Sequence, residues 1–136
     1  FGKYHLGYLE KNKLHEVDVL SGAFILIRKS VLDKIGLLDE TFFMYGEDLD
    51  WCYRFRKTGW KIVYNPEATV MHYKNKSGIQ AETDSESGKT AKKQATSQFF
   101  DTMVLFYRKH YGKMYPRWFL GVIQFGVRCI RSMKGV

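Results

Sequence analysis

The sequence predicts a mixed α/β fold, in which short strands and helices are followed by two amphipathic helices at the C-terminus. Three observations predict it. The apolar run from Ala23 to Arg28 has the length of a buried strand. Apolar side chains then recur with helical spacing after Gly46, and again from Phe99 onward. A hydrophobic content of 45%, with 16% aromatic residues, argues against a disordered chain.

The first third of the chain predicts two strands and one short helix. Residues 1–15 show no clean period and are expected to form a loop or an edge strand, whereas 17–20 fit a short strand. After the predicted strand at 23–28, Ser30 is a typical N-cap residue and Gly36 a typical C-terminal stop. A short helix is therefore predicted between them.

The central helix follows an aromatic, ordered loop at 37–45. Gly59 ends the helix, and the apolar side chains that predict it lie on one helical face: Leu49, Cys52, Tyr53 and Phe55. Glu47 and Asp48 therefore lie at or just before the helix N-terminus, where backbone N–H groups and the helix dipole stabilise negative charge.

Two strands are predicted after this helix. Residues 60–64 alternate between apolar and polar side chains, Pro66 breaks the pattern, and 68–73 form a second candidate strand. We therefore assign residues 1–76 to the α/β part of the chain.

The rest of the chain predicts a loop and then helices. Residues 77–97 are rich in polar side chains and are predicted to form a flexible loop. Residues 98–136 form a basic amphipathic helical region, in which Gly112 ends one helix and Pro116 lies near the start of the next.

Charge is distributed unevenly along the chain. Residues 1–88 contain 12 Lys/Arg and 13 Asp/Glu, whereas 89–136 contain 10 Lys/Arg and a single acid, Asp101. A basic, aromatic C-terminal region suits an anionic partner such as a membrane face, a lipid-linked diphosphate or nucleic acid. No nucleic-acid-binding motif is visible, and the acidic cluster around Asp48 does not suit a nucleic-acid groove, so no nucleic-acid partner is expected.

The setting expected from the sequence is cytoplasmic. Cys52 lies on a predicted buried helix face, far in sequence from Cys129, which favours reduced thiols over a disulfide. There is no apolar run of 18 or more residues. The chain begins with Phe1, and we expect it to be a piece of a longer protein.

The acidic cluster at the start of the central helix allows two interpretations. Acidic residues at this position are often helix caps. A carboxylate held there also has the chemistry to accept a proton from a sugar hydroxyl while the oxygen attacks an electrophilic carbon, and its neighbour could hydrogen-bond the same acceptor. Asp50 is four residues before Arg54, the spacing of a helical ion pair.

Five sequence blocks occur together in one order, strongest over residues 17–76. They are Ser-Gly-Ala-Phe-Ile-Leu-Ile-Arg from Ser21, Gly-Leu-Leu-Asp-Glu-Thr-Phe-Phe from Gly36, Gly-Glu-Asp-Leu-Asp-Trp-Cys-Tyr-Arg from Gly46, Gly-Trp-Lys-Ile-Val-Tyr-Asn-Pro from Gly59, and Val-Met-His-Tyr from Val70. This order resembles the C-terminal half of a family-2 glycosyltransferase of the GT-A (Rossmann-like) fold. It is similar to bacterial rhamnosyltransferase-like enzymes of surface polysaccharide assembly.

The resemblance implies an inverting transfer of a sugar from a nucleotide-diphosphate sugar to a saccharide or lipid-linked acceptor. It implies that Asp48 is the catalytic base and that Glu47 orients the acceptor or the base. Substrate contacts are expected from a small-residue turn, from the central helix and from the following loop: Ser21, Gly22, Ala23, Asp50, Trp51, Arg54 and Lys76. For each of these a structural role is the alternative, namely a strand-start turn, an ion pair, core packing or a solvated charge.

His72, at the end of the last predicted strand, is the candidate metal ligand. A lone histidine at a strand end is often purely structural, but neutral imidazole also binds Mn²⁺ or Mg²⁺ when carboxylates complete the shell. The resemblance implies a metal or diphosphate contact here. The Asp-x-Asp pair expected upstream in such enzymes is missing, since its one occurrence is Asp48-Leu49-Asp50.

Two expectations follow, one from this departure and one from the basic amphipathic C-terminal helices together with the lipid-linked acceptors that the resemblance implies. This polypeptide alone should not transfer sugar, because a base without a positioned electrophile has lost the benefit of proximity. The C-terminal helices are expected to lie peripherally on the inner face of the cell membrane, with a helical cap over the core as the alternative. Two further alternatives are a non-catalytic remnant of a glycosyltransferase fold and a basic binding module for anionic membrane or nucleic acid.

Overall fold

The computed structural model describes residues 6–72 and 86–135. These residues form a mixed α/β structure with two short strands and four helices: β1 (His15–Val17), α1 (Lys29–Ile35), α2 (Glu47–Lys57), β2 (Ile62–Tyr64), α3 (Glu86–Tyr111) and α4 (Arg117–Lys134). They divide into two compact units. The first contains residues 6–38 and 48–72, and the second contains 39–47 and 86–135.

The first unit packs α1 and α2 on a small antiparallel ribbon. β1 pairs with β2 so that Val17 lies opposite Ile62. These two side chains form a core with Val31 of α1 and with Cys52 and Phe55 of α2. The spacing of Cys52 and Phe55 is that of one helical face, which is why α2 turns this side inward.

The second unit is built on a helical hairpin. Five residues join α3 to α4. Tyr107 stacks with Tyr115 and contacts Phe119, whereas Asp101, earlier in α3, pairs with Arg131, later in α4. The two helices therefore run antiparallel.

Several sequence-based boundaries agree with the structure. The helix predicted between Ser30 and Gly36 forms as α1 and stops at Gly36, whose φ of 84° is left-handed, but the predicted cap is wrong: the N-cap is Arg28, and Ser30 lies inside the helix. α2 ends two residues before Gly59. The strand predicted at 60–64 is present as its last three residues, and the two C-terminal helices end and begin at the glycine and proline that predicted them.

Two predicted strands are wrong over the described residues. Residues 23–28 form no strand, and Leu26 is 90% exposed; residues 68–72 form none either. A strand needs a neighbour for its backbone hydrogen bonds, and the sheet of the described residues contains only β1 and β2. The predicted strand at 17–20 is also displaced, because pairing with β2 occurs at His15–Val17.

The flexible loop predicted at 77–97 is wrong from residue 86 onward. Residues 86–97 form the first turns of α3, while 77–85 lie outside the described residues. Polar composition suggested a loop, but Lys, Gln and Ala are strong helix formers. Ala95 is buried, so tertiary packing adds to this helix propensity.

Candidate active site

A left-handed turn positions the start of α2. Tyr45 and Gly46 both have positive φ angles, 69° and 81°. A Cβ atom on Gly46 would lie 2.3 Å from Cγ2 of Thr102, and the hydroxyl of Thr102 hydrogen-bonds the carbonyl of Met44 at 3.4 Å. Both the backbone conformation and this close approach therefore require glycine at position 46.

Asp48 is held by two backbone N–H groups. The N–H of Gly22 donates to Oδ2 at 2.9 Å, and the N–H of Leu49 donates to Oδ1 at 2.7 Å. The side chain is half-buried. Because each carboxylate oxygen has two acceptor directions, both oxygens keep capacity for a further proton donor. The carboxylate is therefore fixed in orientation and still able to accept a proton.

The small-residue turn that supplies this bond is exposed. Ser21 Oγ accepts a long hydrogen bond of 3.5 Å from the N–H of Ala23. Gly22 lies next to Asp48, at a separation of 26 residues in sequence. The structure thus brings together two of the sequence-predicted site regions, the turn at 21–23 and the acidic cluster.

Glu47 is the first residue of α2, and its Oε2 is buried without a hydrogen-bond partner among the described residues. A buried acceptor left unpaired destabilises a fold by about 1–3 kcal/mol. Such an atom is suited to accept a hydrogen bond from a bound hydroxyl.

Asp50 and Arg54 connect the two helices of the first unit. Asp50 is fully buried and forms an ion pair of 2.9 Å with Nε of Arg54, which confirms the predicted helical ion pair. Arg54 also donates to the carbonyl oxygens of Ile35 at 2.8 Å and Leu37 at 2.7 Å, at the C-terminal end of α1. The guanidinium thereby satisfies the carbonyl group of the last residue of α1 and one in the turn that follows.

Trp51 takes part in the same junction. Its Nε1 donates to the carbonyl of Gly36 at 3.0 Å, and its ring centroid lies 5.4 Å from that of Phe55. The side chain packs against the core of the first unit. The structure therefore gives Trp51 the core-packing role that was the alternative to a substrate contact, and the substrate contact stays a prediction.

The family follows from comparison with known proteins. Residues 9–98 match the model of a family described as "Glycosyltransferase like family 2". The chain belongs to this family. The match includes both strands, α1, α2 and the first half of α3, and it ends before α4.

Curated glycosyltransferases are similar to this chain over shorter segments. Over 58 residues it is 47% identical to an N-acetylglucosaminyl-diphospho-decaprenol L-rhamnosyltransferase of Mycobacterium tuberculosis, covering 43% of this chain and 19% of that protein. Over 48 residues it is 42% identical to the low-salt glycan biosynthesis hexosyltransferase Agl10 of Haloferax volcanii, covering 35% and 16%. Over 57 residues it is 37% identical to rhamnosyltransferase WbbL of Escherichia coli, covering 42% and 22%.

The aligned segments thus span about a fifth of the length of these glycosyltransferases. No solved structure matches the chain significantly.

The predicted metal ligand of this family 2 chain is His72. His72 is exposed and is the last residue described before the gap at 73–85. Within residues 6–72 and 86–135, no three His, Cys, Asp or Glu side chains are grouped so that they could hold a metal ion. The described residues therefore do not fit a complete Mn²⁺ or Mg²⁺ site. Lys76, the predicted phosphate contact, lies outside the described residues.

Sequence reasoning missed two features of this site. One is the hydrogen bond from Gly22 to Asp48, for which the only sequence signal is the order of the family's blocks. The other is the capping of α1 by Arg54, because an arginine at i+4 from an aspartate signals only a local ion pair.

Proposed function

We propose that this chain contributes the acceptor side and the catalytic base of an inverting glycosyltransferase. The donor is a nucleotide-diphosphate sugar, and the acceptor is a saccharide or lipid-linked saccharide of a surface polysaccharide. The observation that carries the proposal is the half-buried Asp48 carboxylate, fixed by two backbone N–H groups. Family membership supports the reaction class, and it favours an enzyme over a basic binding module.

In the proposed step, the acceptor hydroxyl gives its proton to Asp48 as its oxygen attacks the anomeric carbon of the donor. The bond between that carbon and the diphosphate oxygen breaks, and its electron pair leaves with the diphosphate. Attack from the face opposite the leaving group inverts the configuration. A positioned base of this kind contributes about 10²–10⁴ in rate.

Glu47 is proposed to orient the acceptor. Its buried, unpartnered Oε2 supports this role, because a sugar hydroxyl donating to that atom would remove the desolvation penalty. Ser21, Gly22 and Ala23 are proposed to contact substrate beside Asp48. Substrate contacts by Asp50, Trp51 and Arg54 stay predictions, and the α1–α2 junction described above supports a further, indirect role for these residues in holding the site.

The relatives' names support the substrate class. Two are rhamnosyltransferases and one is a hexosyltransferase, and the mycobacterial name specifies an acceptor linked through a diphosphate to decaprenol. We therefore propose a hexosyl-type sugar and a lipid-linked acceptor.

We propose that the α/β unit is the C-terminal part of a GT-A fold. The exposed apolar run at 23–28, with Phe24 57% and Leu26 90% exposed, supports this assignment because a larger sheet would cover it. The donor-binding part is then supplied outside these residues, so the 136-residue chain alone is expected to be inactive. Measurable sugar transfer by this polypeptide in isolation would contradict that expectation.

We propose His72 as one ligand of a divalent ion, Mn²⁺ or Mg²⁺, with Lys76 contacting a donor phosphate. Bound there, the ion would stabilise negative charge on the departing diphosphate. Titration of Mn²⁺ into the wild-type protein and His72→Ala should show a lost or weakened site in the variant. Equal Mn²⁺ binding by both would remove His72 from the ligand set.

We propose a cytoplasmic protein that lies against an anionic membrane through the apolar stripe of α4, defined as Trp118, Val122, Phe125 and Met133. These side chains are spaced along one helical face and are all exposed, Trp118 at 68% and Phe125 at 70%. Arg117 and Arg128 flank the stripe. Basic residues beside an exposed apolar stripe are typical of an interfacial helix. None of the helices within residues 6–72 and 86–135 combines the length and the hydropathy of a bilayer-spanning segment.

The catalytic proposal is tested with Asp48→Asn in the protein expressed from the complete reading frame that encodes these residues. Transfer from a nucleotide-diphosphate sugar should fall about 10²–10⁴-fold, while circular dichroism and the urea midpoint stay close to wild type. Asp33→Asn, in an exposed ion pair of α1, is the matched control and should keep full transfer. Near-normal transfer by Asp48→Asn would reject Asp48 as the base.

A further inference from the structure

A groove between α3 and α4 carries a concentration of arginine side chains. It encloses about 650 Å³, within the roughly 300–1,000 Å³ of small-molecule sites. The residues that line it come from both helices: Asp101, Val104, Leu105, Arg108, Gln124, Val127, Arg128, Arg131 and Ser132. All belong to the second unit.

The spacing of these residues explains why they meet. On α3 they follow Asp101 at intervals of three, four and seven, and on α4 they follow Gln124 at three, four, seven and eight. Each set is therefore one stripe of a helix. Because the helices run antiparallel, the Asp101–Arg131 pair lies towards one end of the groove and Arg108 lies nearer Gln124 towards the other.

The charges of the groove are only partly compensated. Arg131 donates to Asp101 at 2.7 Å and to the hydroxyl of Ser97, which fixes its guanidinium. Arg108 and Arg128 form no ion pair with any residue in the described ranges. Three arginines and one aspartate leave a local excess of two positive charges.

We propose that this groove binds a phosphate or diphosphate group. A guanidinium group can donate two parallel hydrogen bonds to phosphate oxygens. Arg108 and Arg128 supply two such groups without a carboxylate partner in the described ranges, and Arg131 is held in place in the same groove. The Gln124 amide and the Ser132 hydroxyl line the same groove as further donors. The site lies beyond residue 98, where the family match ends, and it does not depend on the role of Asp48.

The walls of the groove indicate what else the ligand carries. Val104, Leu105 and Val127 supply an apolar surface beside the arginines. A phosphate attached to an apolar chain could bind the arginines and also pack against the apolar wall, whereas a free phosphate could bind only the arginines. Both kinds of ligand contain the phosphate group that the arginines would bind. Comparing inorganic pyrophosphate with farnesyl diphosphate distinguishes a free diphosphate from one attached to an apolar chain.

The test is isothermal titration calorimetry of the 136-residue protein with inorganic pyrophosphate. Arg108→Ala/Arg128→Ala should weaken binding at least about tenfold. Lys92→Ala/Lys93→Ala removes the same charge from an exposed part of α3 and should change the affinity less than about twofold. Arg108→Lys/Arg128→Lys keeps the charge but loses the paired donors, so its affinity should fall between those of wild type and the alanine variant.

Three results would overturn the site: no pyrophosphate binding by the wild-type protein, equal weakening by the arginine and lysine variants, or equal affinity for malonate. The last would show that any dianion is accepted. Farnesyl diphosphate is expected to bind more tightly than pyrophosphate, with the gain depending on Arg108 and Arg128. A gain that survives in Arg108→Ala/Arg128→Ala would place the lipid elsewhere and overturn the combined phosphate and apolar site.

Discussion

The spacing of Asp50 and Arg54 predicts one ion pair, but the guanidinium of Arg54 forms further hydrogen bonds within the first unit. Its guanidinium bonds the buried carboxylate of Asp50 and the carbonyl oxygens of Ile35 and Leu37. Removing one partner of a buried ion pair leaves the other as an uncompensated buried charge. The stability of the unit that holds Asp48 therefore depends on this side chain.

Arg54→Met should lower the free energy of unfolding by about 3–5 kcal/mol, because the buried Asp50 loses its ion pair and two carbonyl oxygens lose the donors that Arg54 supplies. The matched control is Arg56→Met on the same helix. Arg56 pairs with Asp18, but their side chains are 54% and 64% exposed, so the loss should be at most about 1 kcal/mol. Urea unfolding followed by circular dichroism measures both, and similar losses in the two variants would contradict the structural role of Arg54.

Gly46→Ala should destabilise the protein by at least about 1–2 kcal/mol. The cost comes from a Cβ atom in the left-handed region and from its clash with Thr102. Gly121→Ala is the control, since Gly121 lies inside α4 with open space around its added Cβ. That variant should be stabilised by about 0.4–1 kcal/mol. Urea midpoints that shift in the same direction for both would argue against the turn described here.

At the scale of elements, one ion pair attaches the segment before α2 to the hairpin of the second unit. Lys109 of α3 pairs with Asp39, and its Nζ lies 5.3 Å from the ring centroid of Phe42, which is buried. The hydrogen bond from Lys109, followed by those from Thr41, holds the pKa of Asp39 well below its usual range. A carboxylate with a lowered pKa stabilises the folded state once it is ionised.

This pair predicts a pH dependence. In the unfolded chain Asp39 has a pKa of about 3.9, so its contribution is complete above that pH and is lost as the pH falls towards the folded-state pKa. The difference in unfolding free energy between wild type and Asp39→Asn should therefore be large at pH 7 and shrink below about pH 4. Glu40→Gln, at an exposed neighbour, should show a small difference at every pH. If the difference in unfolding free energy between wild type and Asp39→Asn were the same at pH 2 as at pH 7, the lowered pKa of Asp39 would be refuted.

Helices were easier to predict from this sequence than strands. A helix satisfies its own backbone hydrogen bonds, so local signals were enough: Gly36 marked the end of α1, and the periodic apolar face and Gly59 marked α2. The apolar run at 23–28 carries no information on whether a neighbouring strand exists. The start of α3 was missed because polar helix formers such as those at 86–97 resemble a loop in composition.

The candidate site was predictable only in part for a similar reason. The acidic cluster stands out locally, but the hydrogen bond between Gly22 and Asp48 spans 26 residues and depends on how α2 packs. The sequence therefore identified Gly22 and Asp48 as candidate site residues, but it did not show that they lie within hydrogen-bonding distance of each other.

At the scale of the whole molecule, the basic region at 89–136 also contains the exposed apolar stripe of α4. Phe125→Ser should reduce the fraction of protein that floats with vesicles of phosphatidylcholine and phosphatidylglycerol, because it removes apolar area from the stripe. Phe43→Ser is the matched control, since Phe43 is also exposed, at 82%, but lies before α2. Binding should weaken as salt is raised. Equal losses in both variants, or flotation that salt does not affect, would argue against membrane contact through α4.

The two cysteines of the described structure differ sharply in environment. Cys52 is buried in the first unit, where burial raises the pKa of its thiol, whereas Cys129 is exposed on α4, four residues after Phe125. At neutral pH an alkylating fluorophore should thus attach to one position, without any engineered mutation. With an environment-sensitive fluorophore, the emission maximum of the label on Cys129 would report whether α4 lies in water or in the hydrocarbon region of a bilayer.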